Sequence, residues 1–307
     1  MSNDYSGFAH VLDSLDISGR LPIEIIPGHE FRRATDQEID LIKRELKNHR
    51  LVILPYEHRI ISLEKGHTIE RLPPEKWKYY VISFKNTNDK IRTIEYAANL
   101  LKNDISLGYT FFTKVGGVGF SQAEISTFFI DHYTFWNTFK SIKRSEFLEI
   151  SYNYNLITGL DSIRYPSIVK ALSDFHQTKM ITDRSTLKVL SYFSIFECLL
   201  THLPNPNDTI DSITRQLRTK MSLLGKRFQR ELEYNFYFPS LTDPEKIWTK
   251  LYSYRSRLAH GESIDFTQQL HDLQNHDKIR LFLFESLKLL LLYALKEPEF
   301  LSDLQKC

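Results

Sequence analysis

Tyr254-Arg255-Ser256-Arg257-Leu258-Ala259-His260-Gly261 has the pattern of a helix end, and the architecture of the second half of this chain follows from it. Ile247, Leu251, Tyr254 and Leu258 recur at helical spacing, which predicts an amphipathic helix with those four on its buried face. Thr242-Asp243-Pro244-Glu245 supplies the start: Thr242 and Glu245 have the spacing of a capping box, and a proline is tolerated only in the first turn. Gly261 supplies the stop, because glycine accepts the left-handed conformation that ends many helices. On an ideal helix the step from Arg255 to His260 turns through about 500°, which leaves the two roughly 140° apart. A helix that ends at His260 frees its imidazole to swing back toward Arg255.

The two residue types have a joint chemical use. RNA is cleaved without a metal when one group handles the 2′-OH proton and a fixed cation steadies the charge growing on phosphate. Histidine suits the first task because its ordinary pKa is near the working pH. Arginine suits the second because its planar fork stays charged and can bond two phosphate oxygens at once. The plain alternative is a surface arginine and a helix-capping histidine with no chemistry, and the spacing by itself is a weak pattern.

Working outward, Ser185 to Thr201 is apolar nearly all round, which predicts a central helix. Glu197 interrupts it, and Ser194, Glu197 and Thr201 share one line. A carboxylate inside an apolar helix is costly unless paired, so Glu197 is expected to face Arg255 or a nearby arginine; a solvent-facing edge is the other reading. Ser212 to Arg230 holds Arg215, Arg218, Lys220, Lys226, Arg227 and Arg230 with no acidic residue. Such a run suits an RNA backbone, although most are solvated helix faces. Lys278 to Leu295 is very apolar but contains Glu285 and Lys288, and its uninterrupted apolar part is far short of the ~20 residues that span a bilayer. It predicts a core helix or part of a dimer face. Ser145 to Ile150 and Tyr152 to Ser167 are expected to add helix before the central one.

Arg255-Ser256-x-x-x-His260-Gly261 resembles the R-x4-6-H motif of HEPN-domain ribonucleases, in the form found in the Apea-like HEPN family. Phe196-Glu197-Cys198-Leu199-Leu200 resembles the glutamate-bearing "A-L-E-x-L-L" segment of that family at the glutamate and the last two leucines. The resemblance covers only residues 145 to 307. It implies an all-α HEPN helical bundle over residues 144–307 that acts as a metal-independent endoribonuclease. Arg255 and His260 would be catalytic, with Ser256 and Glu197 supporting and Arg215, Arg218, Lys220 and Arg257 binding RNA. It further implies a homodimer in which two copies of the motif line one cleft, no cofactor and no metal, and a role as a phage-defence or toxin effector restrained by an antitoxin or released by an activating ligand. Ser256 departs from the pattern, since many family members carry Asn, Asp or His there. The alternative is a non-catalytic HEPN dimerisation or nucleotide-binding module.

Residues 1–143 differ in kind and resemble nothing familiar. Thr35-Asp36-Gln37-Glu38 begins a capped helix reaching about His49, and Asp89 to Lys102 and Ser121 to about Ile142 also read as helices. Leu51-Val52-Ile53-Leu54, Tyr79 to Phe84 and Tyr109 to Val115 read as strands. The expected fold class is therefore an α+β regulatory or sensing module followed by the helical bundle. Gly116-Gly117-Val118-Gly119 lacks the lysine of a phosphate-binding loop and reads as a turn. His29, His49, His58, His67 and His132 have no metal-ligand spacing.

With 307 residues there is room for two domains of ordinary size. A net charge of +2 gives no global basic field, so any RNA affinity must be local. Two cysteines, Cys198 and Cys307, exclude a disulfide framework and fit a reducing cytoplasm. Met1-Ser2-Asn3-Asp4-Tyr5 shows no basic region leading into an apolar run, so no secretory signal is expected.

Overall fold

The computed structural model describes residues 5–49, 55–63, 66–85, 89–113, 116–119, 122–132, 140–204 and 212–307. The chain divides into two compact units, Met1–Thr158 and Gly159–Cys307. The first is rich in sheet and the second mostly helical.

The first unit runs β1 (Gly7–Val11), β2 (Leu15–Ser18), β3 (Ile23–Ile26), β4 (His29–Arg33), α1 (Asp36–Leu46), β5 (His58–Leu63), β6 (Gly66–Arg71), β7 (Tyr80–Phe84), α2 (Ile91–Asn99), β8 (Leu107–Phe112), β9 (Gly117–Gly119), α3 (Gln122–His132), β10 (Lys140–Lys143) and α4 (Arg144–Gly159). Six strands form one antiparallel sheet in the order β3-β4-β7-β1-β8-β9. Its central strands are buried on both faces. Ala9, Val11, Tyr80 and Ile82 join one hydrophobic cluster with Ile94 and Ala97 of α2 and Phe147 and Ile150 of α4. Phe8, Val81, Tyr109 and Phe111 join another with Ile42 and Leu46 of α1 and Ile125 and Phe129 of α3. Gly7 must be glycine, since a Cβ there would sit 2.2 Å from the Phe111 carbonyl oxygen.

The capping box of α1 is present: Thr35 Oγ1 accepts from the Glu38 backbone N–H at 3.4 Å, and a Glu38 carboxylate oxygen accepts from the Thr35 N–H at 2.8 Å. Two expectations are corrected. The third long helix is described over Gln122–His132, and Lys140–Lys143, expected within its reach, is instead a strand that pairs in parallel with β2, Ile142 opposite Ile17. The division between halves falls after Thr158, not after residue 143. The reason is α4, whose Phe147 packs on Phe31 at a ring separation of 4.4 Å, while Asn153 donates to the Ala97 carbonyl at 3.2 Å. The expected strand Leu51-Val52-Ile53-Leu54 lies outside the described residues. Gly116 forms a turn at φ +64° leading into β9 at the sheet edge.

The second unit comprises α5 (Pro166–Gln177), α6 (Thr186–Leu200), α7 (Ile213–Gly225), α8 (Tyr234–Tyr237), α9 (Pro244–Ala259), α10 (His276–Lys296) and α11 (Pro298–Lys306). α6 is capped by Ser185, whose hydroxyl accepts from the Leu187 N–H at 3.3 Å. α10 runs through the core with Ile279, Phe282, Leu283, Leu287, Leu290 and Leu291 fully buried. Phe282 meets Trp248 of α9 at 5.7 Å, and Trp248 meets Phe196 of α6 at 5.1 Å, so three helices share one aromatic contact chain. Lys288, also in this core, reaches the Glu285 carboxylate at 2.6 Å. Among the described residues no helix is long and apolar enough to cross a membrane.

Candidate functional site

The site is built on the C-terminal half of α9. The helix starts one residue later than the sequence suggests: Asp243, not Thr242, is the N-cap, and its carboxylate accepts from the Glu245 N–H at 2.9 Å. Asp caps as well as Thr and stands directly before the proline, so it takes the role. Ile247, Trp248, Leu251 and Tyr254 form the buried face; Leu258 is only half-buried. Tyr254 is tied further by its hydroxyl, 2.6 Å from Nδ1 of His276, and burial pushes its pKa up to about 12.

Arg255 follows Tyr254 at the edge of this face and meets α6. Its Nη2 lies 3.2 Å from one oxygen of Glu197 and 3.4 Å from the other, and the second contact has hydrogen-bond geometry. The pair stands at the half-buried margin of the two helices. Tyr252 supplies a second wall, with its ring centroid 5.5 Å from the guanidinium carbon. Burial raises the Glu197 carboxyl above the ordinary carboxylate range, and the attraction of Arg255 opposes that rise without cancelling it. Both carboxylate oxygens lie within ion-pair distance of one guanidinium nitrogen. Arg255 Nε is buried without a hydrogen-bond partner, so the guanidinium retains an unused donor.

His260 is the C-cap of α9 and is exposed; its backbone N–H bonds the Ser256 carbonyl at 3.1 Å. Gly261, at φ +69°, donates to the Leu258 carbonyl at 3.1 Å, and Glu262 donates to that of Arg257 at 2.9 Å. These two bonds make a Schellman stop, which fixes the turn immediately after the histidine. Arg255 is thus anchored against α6, while His260 stands at the helix end in solvent. Ser256 is half-buried between them in sequence. Arg257 is engaged within the chain, donating to the Gln269 side chain at 2.5 Å.

The basic helix α7 divides into different kinds of residue. Arg215 is exposed, and Arg218 lies 3.6 Å from the Glu245 carboxylate. Lys220 is a correction to its expected place on an RNA track. It is 5 % exposed, and its ammonium donates to the Leu200 carbonyl at 2.8 Å and the Gln305 carbonyl at 3.2 Å. Those oxygens end α6 and lie near the end of α11, where helix carbonyls lack intrahelical partners, and a buried cation satisfies them. Tyr252 and Trp248 were missed by the sequence reading. Each sits one turn or less from a residue already singled out, at a spacing that a wider apolar stripe would have included. Among the described residues no three or more His, Cys, Asp or Glu side chains gather as a metal site would need. Comparison with known proteins found no match to this chain among family models, curated proteins or solved structures.

Proposed function

We propose that the helical unit is a metal-independent endoribonuclease of the HEPN type, working as a homodimer on RNA. The observation that supports this reading best is the placement of Arg255: a cation fixed by Glu197 and Tyr252, five residues before an exposed histidine at a fixed helix stop. In the proposed reaction the 2′-oxygen attacks phosphorus and the bond to the 5′-oxygen breaks. The 2′-OH proton leaves to a base and a proton is returned to the 5′-oxygen. His260 serves one or both transfers, and Arg255 holds the charge that builds on the non-bridging oxygens. Products are a 2′,3′-cyclic phosphate and a 5′-hydroxyl. Two copies of the motif in one groove would let one histidine act on each oxygen, which answers the roughly 140° that separates Arg255 from His260 around one helix. A defence or toxin role, with the first unit as restraint or sensor, goes with this proposal.

A second reading has its own support. Arg255 already has a carboxylate partner, as it would in a non-catalytic dimerisation or nucleotide-binding module. Incubating the purified chain with mixed cellular RNA in EDTA separates the two. Cleavage leaving cyclic phosphate ends, lost in His260→Ala, supports the ribonuclease; intact RNA bound by a dimer supports the module.

A further inference from the structure

The first unit carries a cleft of about 440 Å³, within the roughly 300–1,000 Å³ range of small-ligand sites. Among the described residues its walls are Asp16 of β2, Arg33 of β4, Arg59 of β5 and the segment after β6 that holds Glu75, Lys76 and Lys78, with Leu72 as an apolar patch. Four cations and two carboxylates face it, and the way they are partnered matters more than their number. Lys78 is paired with Asp16 at 2.8 Å, and Arg59 with Glu70 at 2.5 Å. Arg33 is treated differently. Its guanidinium donates to two backbone carbonyls, Glu75 at 3.1 Å and Trp77 at 3.4 Å, and its carbon lies 5.9 Å from the Tyr80 ring centroid. Carbonyls orient the group without neutralising it. Lys76, exposed on the same wall, has no carboxylate within ion-pair distance among the described residues. Among the described residues, Arg33 and Lys76 are therefore the two cations in the cleft outside an ion pair, one of them oriented in advance, and with the unpaired Glu75 carboxylate they leave one net positive charge.

We propose that this cleft binds a small phosphorylated molecule, recognised by two adjacent phosphate charges that reach Arg33 and Lys76. A planar guanidinium held at fixed orientation suits bidentate phosphate contact, and a flexible ammonium beside it suits the neighbouring phosphate. Two cationic side chains of different geometry on adjacent walls suit the two phosphates of a diphosphate better than a single carboxylate. The cleft is open and short, which suits a small ligand better than an RNA strand that needs an extended track. This site is independent of the ribonuclease reading, because none of its residues belongs to the helical unit.

Titration calorimetry of the full chain with inorganic pyrophosphate, at fixed moderate salt, tests the proposal. The expected result is saturable binding with one site per chain, weakened at least about tenfold by Lys76→Ala and by Arg33→Gln, as befits the loss of a charged hydrogen bond. Arg255→Ala should leave the binding unchanged. Lys76 is exposed, so its replacement does not threaten the fold; a melting curve matching the parent checks Arg33→Gln. No binding at millimolar pyrophosphate would overturn the proposal, as would equal binding by both cleft variants or loss of binding in Arg255→Ala. Binding of a single-stranded RNA through Arg33 and Lys76, with none of pyrophosphate, would make the cleft an RNA contact and equally overturn it.

Discussion

Glu197 and Arg255 meet at 3.2 Å across two helices, yet burial keeps the carboxyl above its ordinary range. A carboxylate with a raised folded pKa works against stability at neutral pH, and that penalty is relieved as pH falls through the raised value. The pair is therefore better understood as a device for holding the guanidinium than as a source of stability. Glu197→Gln should change unfolding free energy by no more than about 1 kcal/mol, in either direction, by denaturant titration. If Arg255 is catalytic, the same variant should lower RNA cleavage by up to about 10²-fold, because its orientation is lost. A large loss of stability with unchanged cleavage would reverse this assignment.

For the proposed reaction, His260→Ala is expected to lower cleavage by about 10²–10⁴-fold, the usual worth of general acid–base catalysis. Arg255→Ala should do similar damage, and Arg255→Lys should rescue poorly, since an ammonium lacks the planar fork. Arg257→Ala should be milder, because that side chain is engaged by Gln269. Single-turnover assays in EDTA read all four variants, with circular dichroism as the check on folding. Undiminished cleavage by His260→Ala would remove the motif from the mechanism.

Lys220 and Arg215 sit five residues apart on α7 and should behave oppositely. Lys220→Ala leaves the Leu200 and Gln305 carbonyls without their donor and should cost about 1–3 kcal/mol while leaving RNA affinity unchanged. Arg215→Ala should alter stability within about 0.5 kcal/mol. If α7 contacts RNA, it should also reduce the slope of affinity against salt by about one. Paired melting and salt-dependent binding measurements decide between these outcomes.

Acid should weaken the first unit through His10. Its ring is fully buried, neither nitrogen has a hydrogen-bond partner, and burial pushes its pKa down to about 3 from an ordinary 6.5. The unfolded chain therefore binds a proton more readily than the folded one. Stability is intact above about pH 6.5 and falls as pH drops from there toward 3. At pH 5 the loss from this group alone is about 2 kcal/mol relative to pH 7.5. Denaturant titrations at the two pH values should show that difference shrinking in His10→Phe. An unchanged pH dependence would show that another group carries it.

What the sequence made legible was local. The capping box at Thr35, the proline at 244 and the apolar run from Ser185 announce helices through short-range pattern, and Glu197 announces a partner because a lone carboxylate in an apolar helix needs one. β3 and β4 form a local hairpin across Pro27-Gly28 whose turn signal went unread, whereas β1 and β2 escaped because their partners are distant, Gly7 with Phe84 and Phe112 and Leu15 with Lys140. The same reason turned Lys140–Lys143 from expected helix to strand, since its partner Leu15–Ser18 lies far back along the chain. Lys220 read as surface because charge usually is; only the ends of α6 and α11, brought together by folding, show why a lysine is buried there. The separation of Arg255 and His260 around the helix was readable from spacing, but the pairing that orients Arg255 needed a second helix.

The position of Arg144–Gly159 has a practical corollary for anyone who wishes to work with the halves apart. A chain severed after Lys143 would surrender Phe147 and Ile150, leaving a hole beside Phe31 in one piece and a bare greasy stripe on the other. Both pieces would be prone to clump, and a failed assay on either would say nothing about chemistry. Severed between Thr158 and Gly159, the first piece keeps every residue of its hydrophobic clusters.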